Sequence, residues 1–94
     1  MSIPSHILNL IENNAVDEAI VSLDRFIEES GDSAEAYFQR GKLHWQAGHR
    51  REAINDYHRA VDIDSASPAR EALRLSMIFL KPLTMPTLNW QVQN

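Results

Sequence analysis

The stretch Ala34–Ser67, AEAYFQRGKLHWQAGHRREAINDYHRAVDIDSAS, decides the fold. Shifted by 34 residues against the rest of the chain, it matches itself: Glu18-Ala19-Ile20 falls on Glu52-Ala53-Ile54, Arg25 on Arg59, Ser33 on Ser67 and Arg40 on Arg74. Self-similarity at a period of this size is the signature of a stacked array, in which each unit buries its apolar face on the next. Within the stretch, Gly48 separates two helical patterns and can take the left-handed conformation that ends the first.

Ala34–Ser67 resembles the tetratricopeptide repeat family, whose marker positions are filled by Tyr37, Gly41, Gly48, Ala53, Tyr57 and Ala60. The resemblance has a physical basis. Gly41 and Ala53 are small where two helices approach closely, Tyr37 and Tyr57 fill the space beside them, and Ala60 admits the next unit. It implies an all-α fold of antiparallel helix pairs stacked as a short right-handed superhelix. Two positions depart from the family pattern: Arg40 stands where Leu is common, and His44 stands in the usual Tyr slot. The first looks like a familiar variant in which Arg-Gly on one helix accompanies Asp-Tyr on the next, here Asp56-Tyr57, and an Arg40–Asp56 ion pair is expected.

Upstream, Ile3, Ile7, Leu10 and Ile11 recur at helical spacing. An Asn13-Asn14 turn follows, then a second stripe of Val16, Ala19, Ile20, Leu23, Phe26 and Ile27. Gly31 is placed to close that helix and Ser33 to cap the next. Ser67-Pro68 is a favourable helix start, but Leu75 and Glu71 replace the small and aromatic markers, so the last helix reads as a cap. These signals predict helices at 4–13, 15–30, 34–47, 50–64 and 68–81. The domain is expected over 1–81, with a first repeat at about 1–33, a second at 34–67 and a capping helix at 68–81. The prolines at 82 and 86 predict a non-helical tail over 82–94.

With 94 residues, the chain supplies one small domain and little material for an enclosed active site. The absence of cysteine excludes disulfides, thiolate metal sites and cysteine nucleophiles. No GxSxG elbow, phosphate-binding loop or GxGxxG turn is present. The carboxylates Glu28-Glu29 and Asp62 with Asp64 fall at solvated helix ends, which perturb acidity poorly. No enzymatic activity and no cofactor are expected. His44 and His49 are five apart, off the i, i+4 spacing that places two ligands on one helix face, and neither His6 nor His58 completes a motif, so no metal is expected. His44 is instead expected as a partly buried hydrogen-bonding side chain.

Net charge is −4, with seven acids (Glu12, Asp17, Glu18, Asp24, Glu28, Glu29, Asp32) against Arg25 in residues 1–32. Residues 33–60 carry five bases (Arg40, Lys42, Arg50, Arg51, Arg59) against Glu35, Glu52 and Asp56. This asymmetry fits neighbouring helices attracting each other or head-to-tail self-association. Arg40, Lys42, His49, Arg50 and Arg51 beside Trp45 form the one basic cluster, too little in an acidic chain to predict nucleic-acid binding. No stretch is apolar enough for a membrane span, and Met1–Ile11 shows no basic residue before an apolar run, so cytoplasmic residence is expected.

In the family the chain resembles, the first helix of each pair lines a concave groove that holds a peptide or extended protein segment. The residues implied here are Glu35, Phe38, Gln39, Lys42, Trp45 and Gln46. Phe38 and Trp45 can anchor such a segment or pack on neighbouring helices and the tail. A carboxylate clamp found in some members is matched only at Lys42, because Pro4 and Leu8 stand at the corresponding upstream positions. The last helix and the tail are too apolar for a lone cap. Leu73, Met77, Phe79, Leu80, Leu83, Met85, Leu88 and Trp90 are candidates for self-association as a homodimer, or for docking of the tail into the groove in the same or a neighbouring chain.

Overall fold

The computed structural model describes residues 2–84, the last six of them by backbone alone. Five helices follow one another: α1 (Ser5–Glu12), α2 (Val16–Ser30), α3 (Ala34–Gln46), α4 (Arg50–Ile63) and α5 (Ala69–Thr84). No strand occurs among the described residues. Each helix packs on its sequence neighbour, α3 on α4 most extensively and α1 on α2 least. The fold is all-α, as the periodicity predicts.

The boundaries follow from local chemistry. Ser33 sits extended ahead of α3 and its hydroxyl accepts from the Ala36 N–H at 3.2 Å. One period later, Ser67 Oγ accepts from the Ala69 N–H at 3.1 Å, opening α5. Both serines are buried, where an uncapped N–H is costly. α1 and α3 end in the same turn. His49 N–H donates to His44 C=O and Gly48 N–H to Trp45 C=O, while Ala15 N–H donates to Leu10 C=O and Asn14 N–H to Ile11 C=O. These nested bonds define the Schellman motif, whose pivot needs positive φ. Gly48 has φ +87° and Asn14, one period earlier, φ +59°. Asparagine is among the few side-chain-bearing residues that enter this region readily.

The core has two parts that meet at α3. Ile3, Ile7, Ala19, Ile20, Leu23 and Phe26 bury against Ala36 and Leu43. On the other side, Ala53, Tyr57, Ala60 and Ala69 are buried, with Tyr37, Phe38, Trp45 and Leu73 packed around them. Gly41 marks the closest approach: a Cβ there would lie 2.7 Å from Tyr57 Cε1 and 3.2 Å from the Ala53 carbonyl oxygen.

Arg40 joins three helices. It donates from Nε and Nη2 to both Asp56 oxygens, at 2.8 and 2.7 Å, and from Nη1 to Asp24 at 2.7 Å. The expected Arg40–Asp56 pair is therefore present, and the bond to Asp24 on α2 is an addition to it. Bonding to Asp56 raises the Arg40 pKa above its ordinary value against the opposing effect of burial. Together with Arg59–Asp32 at 2.9 Å, these pairs join the acidic N-terminal part to the basic segment within one molecule.

α5 continues to Thr84, three residues past the expected end at Lys81. Pro82 falls in its last turn, where a missing N–H removes a single intrahelical bond. The remainder of the expected tail, with Met85, Leu88 and Trp90, lies outside the described residues, as do the side chains of Phe79, Leu80 and Leu83.

Candidate functional site

α3 presents two faces. Ala36, Gly41 and Leu43 are buried toward the neighbouring helices, while Glu35, Lys42 and Gln46 are exposed and Phe38, Gln39 and Trp45 are half-buried between them. The capped N-terminus and the Arg40 bonds to α2 and α4 fix how α3 is rotated, and so which side chains face solvent.

The two aromatic rings of this face contribute to packing and remain partly open. Phe38 lies 6.1 Å from the Tyr57 ring, centroid to centroid, and Lys42 Nζ stands 5.1 Å from the centre of Phe38. Trp45 carries the Arg50 guanidinium at 4.6 Å. Cation–π pairs at exposed sites contribute about 0.5–1 kcal/mol each. They also hold a cation beside each ring, so the apolar surface has a basic rim.

Beside Trp45, α3, α4 and α5 leave a largely apolar cleft of about 200 Å³ lined by Trp45, Tyr57, Ala72, Leu75 and Ser76. Ser76 is buried there, its hydroxyl turned back to the Ala72 carbonyl at 2.7 Å, so it offers the cleft no free donor. Tyr57 sits behind, its pKa raised by burial and secondarily by the negative Asp56. These groups can hold apolar and aromatic side chains with acidic neighbours.

Of the sequence-predicted site residues, Phe38 and Lys42 form one unit and Trp45 borders the cleft, while Glu35, Gln39 and Gln46 flank them along α3. Leu73 packs against the second core, whereas Met77 is 47% exposed. The sequence reading missed Leu75, Tyr57 and Arg50 as parts of this surface. The spacing Ala72, Leu75, Ser76 on one face of α5 is the signal that could have found Leu75. It also missed Val21, 57% exposed on α2, which adjoins two further shallow clefts on the α1–α2 side.

Residues 34–67 match the family model described as Tetratricopeptide repeat. No curated protein and no solved structure matches the chain.

Proposed function

We propose that the chain, whose residues 34–67 match the tetratricopeptide repeat, holds a peptide or extended protein segment on α3 and the adjoining α5, since such arrays bind other proteins on extended surfaces. The contact residues are Glu35, Phe38, Gln39, Lys42, Trp45 and Gln46. The observation that carries this reading is the cleft beside Trp45, apolar within and rimmed by Arg50, with Lys42 over Phe38 further along the helix. A segment with an aromatic or aliphatic anchor and nearby carboxylates complements that surface. The test compares capture of partners from the native organism by the wild-type chain, by Lys42→Glu with Trp45→Ala, and by Val21→Ser. A partner retained by Val21→Ser and lost by the α3 variant supports the assignment; the reverse pattern places binding on the α1–α2 side.

A second reading is favoured by the middle of α5, where Leu75, Met77 and Ile78 are 46%, 47% and 53% exposed. A row of apolar side chains with no covering helix among the described residues suits self-association or a returning segment of the same chain. Light scattering of the full chain and of a chain ending at Thr84 distinguishes the readings. Concentration-dependent dimers that vanish on truncation support a role for residues 85–94, and dimers that survive it point to α5 itself. Two monomers of equal stability oppose both.

A further inference from the structure

His44 and His49 bring their Nδ1 atoms to 3.2 Å, with ring centroids 5.4 Å apart and planes tilted by 48°. Their separation of five is wrong for two ligands on a continuous helix, but the helix ends between them. In a Schellman motif the residue donating the longer bond returns over the residue that accepts it, and their side chains usually make an apolar contact. The equivalent turn of α1 makes the same backbone bonds and has the apolar residues Leu10 and Ala15 in those places. The α3 turn makes the same backbone bonds with two imidazoles in those places, so the turn itself does not require histidine.

We propose that His44 and His49 form a zinc-binding site across the α3–α4 turn. Zn–N bonds of about 2.0–2.1 Å at a tetrahedral angle place the two nitrogens about 3.3 Å apart, close to the separation here. Imidazole is a suitable ligand for zinc, and the pair lies at the surface, open to an entering ion. The ion takes the place of the proton shared by the two Nδ1 atoms, with both rings then carrying their hydrogen on Nε2. Among the described residues no third His, Asp or Glu joins the pair, so the remaining positions belong to water or to a group from a partner. Arg50 and Arg51 follow directly in sequence and weaken attraction for a cation, which makes this a labile site that staples the turn.

The test titrates zinc chloride into the full chain by calorimetry and follows thermal unfolding with and without the ion. The control variant, His44→Leu with His49→Ala, reproduces the pair found in the α1 turn and so retains a turn chemistry the fold already uses. The expected result is one ion per chain with a micromolar dissociation constant, a raised unfolding midpoint, and a loss of affinity of at least about tenfold in that variant. The variant His6→Ala with His58→Ala should bind as the wild type does. Absence of binding at about 1 mM zinc, or a loss in the turn variant of less than about threefold, would overturn the proposal. Loss on changing His6 and His58 instead would do the same.

Discussion

Arg40 and Gly41 are adjacent, and between them they set the positions of α2, α3 and α4. Arg40 is 19% exposed and Asp56 8%, while Asp24 is 51% exposed, so the two carboxylates are not equivalent partners. Asp56→Ala leaves a largely buried guanidinium short of its bidentate acceptor and should cost about 3 kcal/mol or more. Asp24→Asn should change stability by less than about 1 kcal/mol, because an exposed ion pair is screened. Urea denaturation of both variants measures the contrast; equal losses would mean that the Arg40 network is not organised around Asp56. At Gly41, a methyl group alone would meet Tyr57 within 3 Å, so Gly41→Ala should destabilise by about 1–3 kcal/mol and Gly41→Leu by at least as much. Both residues were legible in the sequence through the resemblance to the repeat family, in which an Arg-Gly pair accompanies Asp-Tyr one helix later. Asp24 was not, because nothing in a one-dimensional spacing reports that a third helix lies within reach.

The helices owe their boundaries to single residues, and each boundary can be tested separately. Ser33→Ala removes the acceptor for the Ala36 N–H and should cost about 1 kcal/mol in chemical denaturation. Gly48→Ala meets no atom within 4 Å but must hold φ near +87°, so its cost of about 1 kcal/mol is purely conformational. Ser33, Gly31 and Gly48 declare themselves in the sequence because their side chains, or lack of one, solve a local backbone problem. The end of α5 does not, since Pro82 tolerates the final turn of a helix as well as it breaks an interior one. The His44–His49 contact was missed for a related reason: the i, i+4 rule assumes a continuous helix, and the turn at Gly48 replaces that geometry. Within α4, Tyr57 supplies a pH dependence. Its pKa is raised in the folded chain, so the stability it contributes is complete below the ordinary value of 10.0 and is lost as pH rises above it. Thermal unfolding midpoints should fall less steeply above pH 10.0 for Tyr57→Phe than for the wild type.

At the scale of the whole molecule, parts of one motif recur one period apart: capping serines open α3 and α5, left-handed turns end α1 and α3, and Gly41 marks the α3–α4 crossing. The 34-residue self-match made this organisation readable, because it pairs the buried Ala19 with Ala53 and the capping Ser33 with Ser67. The surface was only half readable. Helical periodicity gives the outward positions of α3, but the cleft beside Trp45 exists through the approach of α5, which no single-helix pattern specifies. The exposed Leu75, Met77 and Ile78 of α5 explain why that helix reads poorly as a terminal cap, since caps of repeat arrays present polar outer faces. The central claim is that the α3–α5 surface is where another polypeptide is held. It is tested most directly by amide exchange of the full chain with and without a captured partner. Binding there predicts added protection around Phe38, Lys42, Trp45 and Leu75 with α2 unchanged; protection confined to the Val21 side of α2 would contradict the account.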